Sequence, residues 1–113
     1  MKYLITGANG FIGSYLTRYL IKKNHSVIAL SRKFSANNSK ALKGAELVKA
    51  NVLDIESLDN KYFSNVDTVV HLASTNDQLA KNRLDSMTLA TVGTSNLLDK
   101  VTHNNVENFI FFS

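Results

Sequence analysis

Cysteine is absent from this chain of 113 residues, and its absence excludes disulfides, thiolate metal sites and a cysteine nucleophile. The chain also lacks any apolar run of the roughly 18 residues that a membrane-spanning helix needs. Near the amino terminus, the apolar residues Tyr3, Leu4 and Ile5 are followed at once by Thr6, which is too short a run for a signal peptide. We therefore expect a cytoplasmic protein with no membrane partner and no metal site.

Acidic residues are the minority, with 9 of them against 13 lysines and arginines and a formal net charge of +4. The basic residues are scattered, and their only adjacent pairs are Lys22-Lys23 and Arg32-Lys33. Because no basic stripe is interleaved with aromatic residues, a solvated face explains the excess better than a nucleic-acid surface. We expect no nucleic-acid partner. At 44% hydrophobic and 19% charged residues, the composition is typical of one folded globular domain.

Apolar and β-branched runs alternate along the chain with segments of helical periodicity, a pattern typical of α/β proteins. Several runs are nearly continuous in hydrophobic residues, as in Phe109-Ile110-Phe111-Phe112, which favours strands covered by helices on both faces. With right-handed crossovers, this alternation predicts a doubly wound parallel sheet in the strand order 3-2-1-4-5. The five predicted strands cover residues 2–6, 26–31, 46–49, 66–72 and 108–112.

The segments between these strands differ in character. After the first strand, Ile12, Leu16 and Leu20 share one helical face, which predicts a helix there. Residues at helical spacing also predict a long crossover helix before the last strand, whereas a polar stretch after the second strand predicts a loop. The predicted bounds are 77–102 for the crossover helix, 34–44 for a loop with at most a short helix at 40–43, and 55–62 for a short turn or helix.

Glycine is scarce as well, and three of the five glycines fall in one motif: Gly7, Gly10 and Gly13 follow the first predicted strand and begin a helix. In this setting the first glycine permits a tight turn, the second lets the backbone approach a phosphate, and the third allows close helix packing. The free N–H groups and the dipole of the helix then face an anion. We expect the pyrophosphate of NAD or NADP here. A glycine-rich turn without a ligand is the alternative, and a P-loop is disfavoured because no Gly-Lys-Ser or Gly-Lys-Thr follows.

The residues after the second predicted strand bear on the choice of cofactor. About twenty residues beyond the glycine motif, an acidic residue would bind the ribose 2′-hydroxyl of NAD, but this chain has Ser31, Arg32 and Lys33 there. Arginine can present two donors to a phosphate, and Ser31 can add a hydroxyl. The segment therefore favours the 2′-phosphate of NADP over NAD. A basic pair that merely opens a solvated loop is the alternative.

A family resemblance rests on three segments: Thr6-Gly7-Ala8-Asn9-Gly10-Phe11-Ile12-Gly13, His71-Leu72-Ala73 and Gly93-Thr94-Ser95-Asn96-Leu97-Leu98. They resemble successive motifs of the extended short-chain dehydrogenase/reductases, the nucleotide-sugar epimerases and dehydratases, and the likeness covers the whole chain. It implies an NAD(P)-binding Rossmann domain over residues 1–113 that is incomplete at its carboxyl end. It also implies a parent epimerase, dehydratase or reductase that acts on a nucleotide sugar or a similar hydroxyl or carbonyl substrate.

The resemblance further implies which residues contact the cofactor. Relatives often have an acidic residue at the adenine, where this chain has Asn51, and an amide can still bond to the adenine edge. His71 would shape the wall of the cleft rather than exchange protons. The implied contacts are Gly7, Asn9, Gly10, Phe11, Ile12 and Gly13 for the pyrophosphate, Ser31 and Arg32 for the adenosine ribose, Asn51 and Val52 for the adenine, and Leu72, Ala73 and Ser74 for the nicotinamide side.

The chain departs from the family pattern where catalysis is concerned. Ala90 stands where the family usually has Asn, three residues before Gly93. The resemblance places the catalytic Ser or Thr just past the fifth strand and a Tyr-x-x-x-Lys pair farther downstream. We therefore expect no catalytic residue in this chain and no turnover by it alone. Two alternatives stay open: a non-catalytic NADP-sensing module, and a fragment without a role of its own.

The last predicted strand, residues 108–112, carries large apolar side chains that alternate between the two faces of the sheet. No further strand or helix covers it within these 113 residues, so we expect exposed side chains and an open strand edge. The sequence therefore predicts self-association through this strand.

Overall fold

The computed structural model describes residues 1–72 and 88–112, and helices alternate with strands through these ranges. Two 3-10 turns, Ile55–Ser57 and Asn60–Phe63, precede the fourth strand, and a π-helical turn, Leu89–Gly93, leads into the last helix. The regular elements are β1 (Lys2–Thr6), α1 (Phe11–Lys22), β2 (Ser26–Ser31), α2 (Ala36–Ala41), β3 (Glu46–Lys49), β4 (Thr68–His71), α3 (Thr94–His103) and β5 (Asn108–Phe111).

The five strands form one sheet in the order β3-β2-β1-β4-β5, and every neighbouring pair is parallel. This is the doubly wound Rossmann arrangement, so the predicted fold class and strand order are confirmed. The order reverses between β1 and β4, where Thr6 lies beside His71. In sheets of this kind a ligand crevice opens at the carboxyl ends of the strands on either side of the reversal.

Hydrophobic cores lie on both faces of the sheet. Leu4 and Val69 belong to the core that α3 and the 3-10 turns cover, whereas Ile5 and Val70 belong to the core that includes Leu20 of α1. This division follows from the two-residue period of a strand, which sends neighbouring side chains to opposite faces. Packing on both faces fixes the carboxyl ends of β1 and β4, which border the crevice.

Two strands are shorter than predicted. β4 begins at Thr68 rather than at residue 66, because the N–H of Val66 donates to the Phe63 carbonyl at 3.2 Å and closes a turn. Asn65 helps to make that turn with a φ of 62°, a conformation that asparagine tolerates better than most residues. β5 ends at Phe111 rather than at residue 112.

The prediction that residues 34–44 form a loop with at most a helix at 40–43 was wrong. Helix α2 already begins at Ala36. Its N-terminus is a capping box, in which Ser35 Oγ accepts from the N–H of Asn38 at 3.1 Å and Asn38 Oδ1 accepts from the N–H of Ser35 at 3.2 Å. The polar residues that indicated a loop instead start a helix.

The long crossover helix predicted over residues 77–102 is described only from residue 88 onward. From there the chain runs through the π-helical turn and α3 to His103. Asn105, with a φ of 57°, then turns the chain toward β5. Within residues 1–72 and 88–112, no helix is long and apolar enough to cross a membrane.

Candidate functional site

The glycine loop between β1 and α1 is a tight turn at the carboxyl edge of the sheet. Gly7 has a φ of 69°, a left-handed conformation that glycine adopts without the steric cost of a Cβ. The N–H of Gly10 donates to the Gly7 carbonyl at 3.0 Å and closes the turn. The chain thus leaves β1 and enters α1 within a few residues.

The other two glycines of the motif have different structural reasons. A Cβ on Gly13 would collide with the Gly7 carbonyl and would lie 2.9 Å from Ala8 Cα, so glycine at this position lets α1 pack against the loop. Gly10 has φ −71° and ψ 170°, which any residue can adopt, and a Cβ there would meet only the Gly7 oxygen, at 3.3 Å. Backbone conformation therefore does not require glycine at position 10. The space above it is what a side chain would remove.

The N-terminus of α1 has no side-chain cap and no acidic residue in its first turn. The regular bonding of the helix begins with the N–H of Ser14, which donates to the Gly10 carbonyl at 2.9 Å. Phe11 and Ile12 point outward, with exposed fractions of 91% and 55%. The N–H groups of this first turn and the helix dipole therefore suit an anion placed above Gly10.

A polar groove lies beside the glycine loop, at the carboxyl end of β2. Its volume is about 690 Å³. The groove is bridged by Asn9, whose Nδ2 donates to Ser31 Oγ at 2.9 Å and to the Lys33 carbonyl at 2.6 Å. The predicted pyrophosphate and ribose segments are thus joined by direct hydrogen bonds. The residues that line the groove are Asn9, Ser31, Arg32, Lys33, Phe34, Ser35 and Asn38.

Hydrogen-bond donors dominate this groove. Arg32 and Lys33 are exposed cationic side chains, and no acidic residue is among the lining residues that the structure describes. The capping box occupies Ser35 Oγ and Asn38 Oδ1 as acceptors, which leaves the Ser35 hydroxyl hydrogen and the Asn38 amide hydrogens to donate elsewhere. Such a surface is chemically complementary to a phosphate.

The residues predicted to meet the adenine lie next to this groove. The N–H of Ala50 donates to the Ser31 carbonyl at 3.0 Å, which brings the segment after β3 beside the end of β2. Asn51 Oδ1 already accepts from the N–H of Leu53 at 3.0 Å, so its amide nitrogen is the group left for an adenine edge. Val52 is buried, and its carbonyl accepts from Asn96 Nδ2 at 2.8 Å.

Sequence reasoning assigned no role to Asn96. Its side chain crosses from α3 to the segment after β3, a span of 44 residues along the chain. The Gly93-Thr94-Ser95-Asn96 motif hinted at its importance only through the family resemblance. The structure gives the physical function of this asparagine, because it anchors the backbone on which Asn51 and Val52 sit.

The opposite wall of the crevice is formed at the ends of β1 and β4. His71 is buried with 1% exposure, and its Nδ1 lies 2.7 Å from Thr6 Oγ1. Burial lowers the pKa of His71 to about 4, so the ring is neutral near pH 7, as befits a structural residue. The N–H of Leu72 donates to the Thr6 carbonyl at 3.2 Å. Ala73 and Ser74, also predicted to contact the cofactor, lie outside the described residues.

One Tyr-x-x-x-Lys spacing does occur in the chain, at Tyr19 and Lys23, and sequence reasoning passed over it. These residues lie at the carboxyl end of α1, at the other end of the helix from the glycine loop. Lys23 Nζ sits 5.7 Å from the centroid of the Tyr19 ring, a cation–π contact. The pair is therefore too far from the crevice to serve as its acid and base.

The glycine loop, the uncapped N-terminus of α1 and the polar groove thus lie together at the carboxyl edge of the sheet, and comparison with known proteins assigns the chain to a family. The model of the NAD dependent epimerase/dehydratase family matches residues 3–113. The chain belongs to this family. Membership of the NAD dependent epimerase/dehydratase family confirms the resemblance drawn from the glycine motif and the two later segments.

Proteins similar to this chain extend well beyond the part that it matches. A dTDP-D-glucose 4,6-dehydratase of Dictyostelium discoideum is 33% identical over 123 residues, which cover 99% of this chain and 28% of that protein. A photosystem II assembly factor of Synechocystis is 30% identical over 118 residues, covering 100% of this chain and 33% of that protein. The UDP-glucose 4-epimerase of Bifidobacterium longum, solved with NAD⁺ and UDP, shares the fold with a TM-score of 0.86 at 22% identity, over 100% of this chain and 37% of that one. The chain thus spans between 28% and 37% of these proteins.

Proposed function

We propose that this chain is the NAD(P)-binding part of an epimerase, dehydratase or reductase, and that it prefers NADP. One observation carries the proposal: a groove of hydrogen-bond donors without a described carboxylate adjoins the uncapped N-terminus of α1. A dinucleotide needs an anion site for its pyrophosphate beside a site for its adenosine ribose. The glycine loop and the groove lie side by side, with Asn9 hydrogen-bonded to Ser31 between them, and this arrangement supports the proposal.

The preference for NADP rests on charge and on hydrogen bonding. The 2′-phosphate of NADP adds negative charge and acceptor oxygens at the position where NAD has only a hydroxyl. Arg32 offers a planar set of donors that can bond two phosphate oxygens at once, and the Ser31 hydroxyl adds another. An acidic residue that would bind the ribose hydroxyls of NAD is missing from the lining residues described. The B. longum epimerase was solved with NAD⁺, so the proposed preference for NADP does not come from that protein. It rests on the residues that line the groove of this chain.

The residues of this chain have distinct proposed tasks. Gly7, Gly10 and Gly13, with the first-turn N–H groups of Phe11 and Ile12, hold the pyrophosphate. Ser31 and Arg32 hold the adenosine ribose, Asn51 and Val52 the adenine, and Leu72 with Ala73 and Ser74 the nicotinamide side. When bound, the cofactor supplies a nicotinamide ring that takes hydride from a substrate carbon or returns it. These residues bind and orient that group, and we propose that they do not by themselves turn over a substrate.

The substrate of the whole protein is proposed by analogy with the relatives. Two of them act on nucleotide sugars according to their names, a dTDP-glucose dehydratase and a UDP-glucose epimerase. A nucleotide sugar, or a similar hydroxyl or carbonyl compound, is therefore the proposed substrate class. The expected cytoplasmic location stays a prediction.

A second candidate is a non-catalytic NADP-sensing module. It is favoured by the photosystem II assembly factor, a relative whose name denotes no reaction, and by Ala90, which replaces the asparagine usual in the family. Both candidates require the same cofactor site. They differ in whether the whole protein that contains this chain converts a sugar nucleotide, which an assay of that whole protein with UDP-glucose or dTDP-glucose would decide.

Calorimetric titration of the chain with NADP and with NAD tests the first proposal. We expect both to bind and NADP to bind more tightly. Equal affinities, or tighter binding of NAD, would contradict the preference. Absence of binding by either cofactor would contradict the assignment of the glycine loop and of the groove.

A further inference from the structure

We propose that Asn9 is a positioning residue that sets the preference between NADP and NAD by orienting the hydroxyl of Ser31. The inference rests on the proposed function, because it concerns the groove assigned there to the adenosine ribose. Asn9 belongs to the glycine loop and Ser31 ends β2, so the two come from separate segments of the site. Their hydrogen bond makes the phosphate loop and the ribose loop one unit.

The orientation of the Asn9 carboxamide is fixed by its neighbours. Its Nδ2 lies 2.6 Å from the Lys33 carbonyl oxygen and 2.9 Å from Ser31 Oγ. A rotated carboxamide would place its oxygen against the Lys33 carbonyl, where two acceptors would repel each other. The nitrogen therefore faces Lys33, and its two hydrogens serve the two contacts.

This arrangement decides which way the Ser31 hydroxyl can donate. Ser31 Oγ accepts a hydrogen from Asn9, so its own hydrogen is left for a different acceptor. Ser31 also lines the groove, where a phosphate oxygen would be such an acceptor. The Ser31 hydroxyl can in principle donate or accept, and the hydrogen bond from Asn9 makes it a donor toward the groove. A donor there favours a phosphate over a ribose hydroxyl.

The carboxamide oxygen of Asn9 also indicates that this side chain acts as a donor. Asn9 Oδ1 is buried and has no hydrogen-bond partner among residues 1–72 and 88–112. An acceptor left unsatisfied costs free energy, so the side chain holds its position through its donor hydrogens. An aspartate of the same size would lack those hydrogens, which makes Asn9→Asp a sharp test.

Three variants separate the effect of orientation from the effect of structure. In Asn9→Asp, a carboxylate would accept the Ser31 hydrogen and would add negative charge, so we expect the ratio of the NAD and NADP dissociation constants to fall by about tenfold or more. Asn9→Ala adds no charge, and we expect a smaller fall in the same direction. Asn38→Asp is the matched control, because it adds a carboxylate to the same groove while its oxygen can still accept from the N–H of Ser35.

A double-mutant cycle that combines Asn9→Ala with Ser31→Ala tests whether Asn9 acts through Ser31. We expect Asn9→Ala to change the NAD/NADP ratio in the parent and to change it little once Ser31 is alanine. Fully additive effects would overturn the inference, as would equal weakening of both cofactors by Asn9→Ala. The inference would also be overturned if Asn9→Asp lowered the ratio of the NAD and NADP dissociation constants no more than Asn38→Asp does.

Circular dichroism accompanies each titration, and the ratio is read only from variants that keep the helical signal of the parent. If Asn9→Ala fails to fold, Asn9→Asp against Asn38→Asp decides the inference alone. The two proposals fail differently. A parent that binds neither cofactor, or prefers NAD, contradicts the proposed function, whereas a parent that prefers NADP with an unchanged ratio in the Asn9 variants contradicts only the role of Asn9.

Discussion

Thr6 Oγ1 and His71 Nδ1 lie 2.7 Å apart and join the carboxyl ends of β1 and β4 by a side-chain hydrogen bond. The pair sits where the sheet reverses its order, in a wall of the crevice. The His71 ring also packs against the Phe111 ring of β5, with centroids 5.4 Å apart. One buried histidine therefore connects three neighbouring strands.

This burial makes the stability of the fold depend on pH. The pKa of His71 is lowered to about 4 in the folded chain, below the ordinary value of about 6.5 that applies when the chain is unfolded. The unfolded chain thus binds a proton first as the pH falls. The contribution of neutral His71 to the free energy of unfolding is complete above about pH 6.5 and is lost progressively down to about pH 4, by an amount on the order of 3 kcal/mol.

His71→Gln removes this titration and should flatten the pH dependence of the free energy of unfolding between about pH 4 and 6.5. Urea unfolding of the parent and the variant at several pH values measures it. His103→Gln, at the exposed end of α3, is the control and should follow the parent. A variant curve parallel to that of the parent would show that His71 does not govern this range.

Gly10→Val should abolish dinucleotide binding while the fold is kept. The backbone angles of Gly10 suit any residue, and a Cβ would meet only the Gly7 oxygen at 3.3 Å. The methyl groups would instead fill the space in which the pyrophosphate is proposed to lie. Calorimetry with NADP and far-ultraviolet circular dichroism give the two readings. Binding as tight as that of the parent would contradict the phosphate-loop assignment.

Gly13→Ala, in contrast to Gly10→Val, should destabilise the fold itself. Its Cβ would press on the backbone of Gly7 and Ala8, and overpacking of this kind costs about 1–3 kcal/mol. We expect a lowered midpoint of thermal or urea unfolding. An unchanged midpoint would mean that α1 shifts away from the loop at little cost.

Arg32→Asp should shift the preference from NADP toward NAD. The substitution replaces a phosphate donor with a carboxylate that can accept from the ribose 2′-hydroxyl and repels a 2′-phosphate. Titration with both cofactors measures the shift. Lys40→Asp, on α2 and outside the residues that line the groove, controls for the change in net charge. If both variants change the ratio equally, general charge and not contact at Arg32 sets the preference.

The fold could be predicted from sequence because its signals are local. Continuous apolar runs revealed the strands, and a glycine motif between a strand and a helix located the turn after β1. The α2 helix escaped prediction because Ser35 and Asn38 read equally well as loop residues until their reciprocal bonds are seen. The ends of the strands differ from their predicted positions because turns decide where a strand begins and ends, and such turns also become visible only in the structure.

The site could be predicted only in part. The residues of the glycine loop and Ser31 follow from motif and spacing, but the bond between Asn9 and Ser31 spans 22 residues. It depends on how two loops meet above adjacent strands, which no local pattern encodes. The same holds for Asn96 and the Val52 carbonyl, which come together from α3 and from the segment after β3.

The last strand leads to a prediction about the 113-residue polypeptide itself. Among the described residues, β5 pairs only with β4 and forms an edge of the sheet. Ile110, Phe111 and Phe112 remain 46%, 47% and 51% exposed. Each side chain forgoes part of the roughly 1.5–3 kcal/mol that full burial would contribute, and the edge offers unpaired N–H and C=O groups to a similar edge.

We therefore expect this polypeptide to self-associate through β5, and sedimentation velocity over a series of concentrations measures it. Ile110→Lys with Phe112→Lys should return it to a monomer, because charge on an edge strand opposes pairing with another edge. These two positions are chosen because the Phe111 ring also contacts His71. Tyr15→Lys replaces another exposed aromatic residue, on α1, and should leave the association intact. A single monomer-sized species for the parent at high concentration would show that the edge does not pair, and equal loss of association in the Tyr15 variant would place the contact elsewhere.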